Sequence, residues 1–238
     1  MIFPLRNSIP SIHRPVMSRG IMIATAGVFL LTQFLSPREF VRLIGELGLV
    51  PATAPGFSSL PHFVTYTFLH SGWWHIISNL WMFWIFADNV EDVMGPWRFL
   101  LFYIACGVCA GVAHVVADAG SRIPVVGASG AISGVLGAYF LLYPHARVTT
   151  LVFFLIIRLP AALYLGFWFL FQLWFATREG AAGIAWWAHL GGFAAGMALL
   201  PLFRTNRPLP AELPRPEAPP PPGDPKDPWV RFRSKQKK

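Results

Sequence analysis

The sequence predicts an all-α fold: a polytopic membrane protein built as a bundle of six transmembrane helices. Of its 238 residues, 55% are hydrophobic and only 13% charged, too few charges to clothe a soluble domain. The mean hydropathy is +0.52. The apolar residues gather in stretches of about 16 to 25, the length a helix needs to cross hydrocarbon roughly 30 Å thick.

The net charge of +8 would suggest a nucleic-acid partner in a soluble protein. Here the charges flank apolar segments, so a lipid bilayer is the expected partner and nucleic acid is not. Cys106 and Cys109 lie three apart inside one apolar stretch. They read as small packing residues, and neither a disulfide nor a metal site is expected there.

Residues 1–16 form an Arg-bearing leader, 17–204 the bundle and 205–238 a tail. The expected spans are 17–36, 70–87, 99–117, 127–143, 160–176 and 185–203. A signal peptide is a poor reading of the first span, because Gln33-Phe34-Leu35-Ser36 offers no small-x-small cleavage site. Pro37, Pro51, Pro55 and Pro61 are expected to keep the following loop irregular. The tail is dominated by proline and ends in basic residues, a composition that cannot support a packed core, so disorder is expected there.

Orientation follows from the basic residues. With both termini inside, Arg6, Arg14, Arg19, Arg98, Arg147 and the nine basic residues from Arg204 onward put fourteen on the inner side. Arg38, Arg42, Arg122 and Arg178 put four outside, which satisfies the positive-inside rule with an even number of crossings. The second, fourth and sixth spans then run from outside to inside. The expected location is a bacterial inner (plasma) membrane with both termini cytoplasmic.

Each of those three spans carries polar residues near its outer start: His75 and Asn79, Ser129, and His189. Ionisable residues within a membrane are expensive and mark candidate functional positions. Ser129 lies fifteen residues before Pro144 and His189 fifteen before Arg204, which sets both roughly 22 Å above the inner boundary at the rise of a helix. His75, thirteen residues before Asp88, falls close to the same level. Three separate segments thus bring Ser, His and His to one plane.

Gly127-Ala128-Ser129-Gly130 opens the fourth span directly after a loop containing Pro124. That puts Ser129 near a helix N-terminus, where free backbone N–H groups could stabilise a developing oxyanion. Gly130 with Gly134, and Gly192 with Gly196, form two small-xxx-small pairs that let helices approach closely. Close approach serves packing, and it is also what lets a serine on one helix reach a histidine on another. His75 and Asn79, at i and i+4, share a helix face and could equally be interhelical hydrogen-bonding residues. His70, His114 and His145 read as interface or packing residues. No acidic residue falls within the interior of the second, fourth or sixth span, so a Ser-His-Asp triad is not expected.

The assembled pattern resembles the rhomboid intramembrane serine proteases. The matching motifs are His70-x4-His75-x3-Asn79, Gly127-Ala128-Ser129-Gly130, and Ala188-His189-Leu190-Gly191-Gly192-Phe193 with Gly196. Glu91, Gly95 and Arg98, with Gly48-Leu49-Val50-Pro51, are supporting matches. The resemblance covers about residues 17–204 and implies a Ser129–His189 dyad. The residues matching the family's oxyanion donors are His75, Asn79 and the Ser129 backbone N–H. One position departs: some members carry a tyrosine four residues after the nucleophile, packed on the catalytic histidine, and Ser133 stands there in this chain.

Three functions are weighed on this basis. The first is an intramembrane serine endopeptidase, without cofactor or metal, whose substrates are membrane proteins with a transmembrane helix. The second is a catalytically silent rhomboid-like membrane binding protein. The third is a haem or ion carrier with His75 and His189 as ligands.

Overall fold

The computed structural model describes residues 2–54, 56–178 and 183–207; the proline-rich part of the tail, from 208 onward, lies outside the described residues. Eight helices and three strands are found there, so the chain is mostly helical but not all-α.

The helices are α1 (Val16–Thr32), α2 (Pro37–Leu47), α3 (His62–Thr65), α4 (Trp73–Met94), α5 (Pro96–Ala117), α6 (Ser129–Leu142), α7 (Ala161–Ala176) and α8 (Trp186–Phe203). The strands are β1 (Ile2–Asn7), β2 (Arg147–Val152) and β3 (Leu155–Pro160). Two helices, α5 and α8, are long and apolar enough to cross a membrane by length and composition. Of the six expected spans, these two meet that measure. α1, α6 and α7 are apolar but shorter, and α4 has the length but carries Asp88, Glu91 and Asp92 near its end.

α6 is short for a physical reason. It has 14 residues, and almost every one from Gly130 to Leu142 is buried against neighbouring helices. A helix wrapped in protein need not meet lipid along its length, and non-helical backbone at its ends is tolerable for the same cause. α8 and α5 form its main packing partners. The α6–α8 seam runs backbone to backbone: a Cβ on Gly192 would collide with the Gly130 carbonyl, and one on Gly196 with the Gly134 carbonyl. The aromatic core beneath this seam includes Phe83, Phe86, Phe99, Phe102, Tyr103 and Tyr139, all essentially inaccessible. Outward, Ile23, Leu31, Val116, Phe167 and Leu202 are each more than 60% exposed. So much apolar surface facing away from the core fits a lipid environment.

The loop expected to be irregular after the first span is instead partly helical. Pro37 starts α2 at its first position, where a missing N–H costs nothing. Ser36 and Glu39 form a reciprocal capping box, and those hydrogen bonds hold the Glu39 carboxyl below its ordinary value. Further on, Leu49 and Val125 exchange backbone hydrogen bonds of 3.0 and 2.8 Å, tying this loop to the one before α6.

The leader is likewise structured. β1 pairs antiparallel with β2, and β2 with β3, giving a three-stranded sheet in the order β1-β2-β3. Trp81 donates to the Pro4 carbonyl at 2.7 Å, and Asn7 donates to Asn89 at 2.9 Å. The following turn is gripped by two buried acids at the end of α4. Asp92 accepts from the backbone N–H groups of Ile12 and His13, while Glu91 accepts from those of Met17 and Ser18 and from the Ser18 hydroxyl. Glu91 thereby supplies partners for free N–H groups of the first turn of α1 and places a negative charge at its positive end.

Candidate active site

Ser129 is the first residue of α6, one turn below a loop that three contacts fix in place. The Gly127 N–H donates to the Tyr66 carbonyl at 2.9 Å, the Tyr66 hydroxyl donates to the Gly107 carbonyl at 2.7 Å, and Val125 joins Leu49 as described. Gly127 has φ +126°, a conformation other residues avoid. This turn lowers the start of α6 into the bundle.

α8 brings His189 alongside. Its Nε2 lies 2.8 Å from the Ser129 Oγ, the distance of a good hydrogen bond. Its Nδ1 lies 2.7 Å from Oε1 of Gln172 on α7. The rings of Trp168 and Trp186 stand 6.2 and 6.1 Å from the imidazole, centre to centre. The hydroxyl of Ser133, at the position of the family's tyrosine, donates to the Ser129 carbonyl at 2.6 Å.

On the opposite side of the serine, α4 supplies His75. A Cβ placed on Gly127 would lie 2.6 Å from His75 Nε2 and 3.7 Å from Ser129 Oγ, so imidazole and hydroxyl border the same small space. His75 Nδ1 lies 3.0 Å from the Ser71 hydroxyl. When that hydroxyl donates, the His75 proton resides on Nε2, facing the serine. Asn79 is buried, and one of its amide hydrogens donates to the His75 carbonyl at 2.8 Å. That leaves its second amide hydrogen available.

Three residues at this site were not singled out in the sequence as site members. His70 is a loop anchor: Nδ1 donates to the Phe68 carbonyl at 3.4 Å, while Nε2 accepts from the Ala128 N–H at 3.5 Å. That makes it a buried packing residue, within its reading as an interface or packing residue, and its place in the His70-x4-His75 spacing was the available signal of a tie to the site. Ser71 and Gln172 had no signal beyond being polar.

The site opens into a cleft of about 900 Å³ bordered by His75, Asn79, Ser129, Gln172 and His189. Asp118, at the end of α5, lines it too. Among the described residues no group of three or more His, Cys, Asp or Glu side chains is placed to hold a metal ion. Both ring nitrogens of His189 are engaged by protein groups, which leaves it poorly suited to ligate haem or a cation.

The class so defined is a helical membrane protein with a Ser–His pair at a helix start inside a cleft. The chain belongs to the rhomboid family: the model of the rhomboid domain matches residues 58–206. It is similar to "Rhomboid protein 1, mitochondrial" of Saccharomyces cerevisiae, 28% identical over 139 residues covering 55% of this chain and 38% of that protein. "RHOMBOID-like protein 12, mitochondrial" of Arabidopsis thaliana is 27% identical over 204 residues, or 79% of this chain and 58% of the relative. "Putative rhomboid protease YdcA" of Bacillus subtilis is 36% identical over 76 residues, 32% of this chain and 38% of the relative. The matched region thus spans roughly four- to six-tenths of these relatives. Of the three, the two aligned over more than half of this chain are mitochondrial, and that corrects the expectation of a bacterial plasma membrane.

Proposed function

We propose that this rhomboid-family chain is an intramembrane serine endopeptidase that cuts transmembrane segments of other membrane proteins near the outer face of the bilayer. The observation that carries the proposal is the 2.8 Å approach of His189 Nε2 to Ser129 Oγ at the start of α6. Ser129 is the nucleophile. His189 takes its proton as the hydroxyl adds to the scissile carbonyl, then delivers that proton to the departing amine. Water entering through the cleft hydrolyses the acyl-enzyme with His189 again as base.

The tetrahedral oxyanion forms between the serine and α4. His75, with the proton on Nε2, and the free amide hydrogen of Asn79 are its side-chain donors, and the Ser129 backbone N–H is the third. A helical substrate hides its carbonyls in i→i−4 hydrogen bonds, so the segment cut is one that unwinds locally.

A six-helix arrangement is part of this reading, with α1, α4, α5, α6, α7 and α8 as crossings and both ends of the bundle on the inner face. Two contacts support it. Pairing of β1 with β2 requires an even number of crossings between them, and α1, α4, α5 and α6 supply four. The Leu49–Val125 bridge likewise joins loops separated by two, α4 and α5. The domain limits 1–16, 17–204 and 205–238 are kept in this proposal, with the leader packed onto the bundle through β1.

Purified protein in liposomes is expected to cut a transmembrane reporter near its outer end, whereas Ser129→Ala leaves it intact. Equal cleavage by both proteins, against empty liposomes, would overturn the assignment. Reporter binding without cleavage by either would identify the catalytically silent alternative.

A further inference from the structure

α7 is apolar from Ala161 to Ala176 except for the Tyr164 hydroxyl, the indole N–H groups of Trp168 and Trp174, and one amide, Gln172. An amide in such a helix is costly unless it is bonded, and facing lipid it would find nothing to bond to. Gln172 instead turns inward. It is 5% exposed, and its Oε1 lies 2.7 Å from His189 Nδ1, on the far side of the imidazole from Ser129. The three groups form one chain: the Ser129 hydroxyl donates to His189 Nε2, and His189 Nδ1–H donates to the Gln172 carbonyl.

We propose that Gln172 is the positioning residue of the site, the acceptor that keeps the His189 proton on Nδ1 and turns the Nε2 lone pair toward Ser129. The inference rests on the protease reading of that site. Neutral imidazole has two tautomers, and only the one protonated at Nδ1 can remove a proton from the serine. In Ser-His-Asp enzymes a carboxylate selects that tautomer, and in papain-like enzymes an asparagine does. Here no described carboxylate touches the ring, and the amide of α7 occupies the corresponding place. Gln172 also orients the ring, held between Trp168 and Trp186, which answers how the histidine is steadied with Ser133 in place of an aromatic residue. As a neutral dipole it stabilises the imidazolium less than a carboxylate would. The other titratable groups near His189 are His75 from α4 and His114 from α5, with Asp118 and Arg178 also on the wall of the cleft.

The test compares wild type, Ser129→Ala, Gln172→Met and Gln172→Glu in liposomes, by reporter cleavage and by ¹⁵N spectra of the histidine rings. Methionine keeps the length and removes the acceptor; glutamate keeps the acceptor and adds charge. Gln172→Met is expected to lower kcat roughly 10- to 100-fold, less than the about 10⁴ lost when a charged triad holds the wrong tautomer, with KM within about twofold. The Nδ1–H signature of His189 should weaken in the same variant. Gln172→Glu should keep cleavage at neutral pH and move the acidic limb of the rate profile to higher pH, because a carboxylate favours the imidazolium.

A residue that merely packs α7 against α8 would alter thermal stability alone. Wild-type kcat in Gln172→Met, or an unmoved acidic limb in Gln172→Glu, would overturn the proposal while leaving the protease assignment standing. Cleavage by Ser129→Ala would instead remove the protease assignment. The ring-nitrogen spectrum still decides the tautomer in that case, since a His189 protonated on Nε2 in wild type would overturn the role of Gln172 by itself.

Discussion

Gly127 stands so close to His75 that a methyl group in place of its hydrogen would sit 2.6 Å from the imidazole Nε2. The same glycine has φ +126°, so a side chain there meets both backbone strain and a collision. Gly127→Ala should therefore displace His75 and the start of α6 together. The expected result is a loss of turnover of at least about 10², with a fall in thermal midpoint matching about 1–3 kcal/mol of strain. Reporter cleavage and a melting curve in detergent check both halves, and an active Gly127→Ala protein would show that this loop yields freely.

The proposed dyad makes a stricter demand. Ser129→Ala and His189→Ala should each abolish cleavage, and the double variant should be no worse than either, because residues acting as one unit are not additive. The residual rate of all three, measured against empty liposomes, is the comparison. A double variant much slower than both single ones would mean that the two residues act separately.

The donor side of the site should respond differently. His75→Ala or Asn79→Ala is expected to cost roughly 10² to 10³ in kcat with little change in KM, as for other oxyanion-hole donors. Ser71→Ala should produce a weaker version of the His75 effect, since it removes only the partner at His75 Nδ1. Steady-state kinetics with a reporter separates the two constants. A rise in KM alone would place these residues in substrate binding instead.

The α6–α8 seam gives a prediction about packing. Gly196→Val would drive its side chain into the Gly134 backbone, and neither helix has room to yield. The expected cost is about 1–3 kcal/mol, typical of overpacking, with cleavage lost further than the folded fraction explains, because the seam also sets the Ser129–His189 distance. Cleavage that tracks the folded fraction alone would show that the dyad tolerates helix separation.

Glu91→Ala tests the inner end. It removes a buried carboxylate that accepts three hydrogen bonds from α1, and hydrogen bonds to charged groups contribute about 1.5–3 kcal/mol each before relaxation. A marked fall in thermal midpoint is expected, with kcat of the folded protein largely intact. Glu91→Gln should recover part of the stability, since an amide oxygen still accepts.

Much of the candidate site was legible because it depends on depth. Counting at the helical rise from Pro144 and Arg204 set Ser129 and His189 at one level, and the two do meet; the count for His75 started at Asp88, inside α4 and not at its end, and His75 reaches the site nonetheless. Gln172 was not legible: a lone glutamine in an apolar run has no spacing that names its partner on another helix. The sheet was missed for another reason. Pro4 interrupts the β1 segment, and the run Leu151-Val152-Phe153-Phe154-Leu155-Ile156-Ile157 merges with the apolar stretch that follows, where periodicity alone does not separate strand from helix. Thr149, Thr150 and the β-branched neighbours were the overlooked clue. The inner end of α4 ran past its expected limit because Asn89, Glu91 and Asp92 are covered by the leader, a contact no local pattern reports.

The pairing of residues 2–7 with 148–152 also bears on the order in which the chain is made. A ribosome releases β1 first, yet its partner emerges only after α1, α4, α5 and α6 have been synthesised. Through that interval the edge groups of β1 stay without their β2 partners. In the six-crossing arrangement proposed above, early helices inserted the wrong way round would leave this strand across the bilayer from its partner.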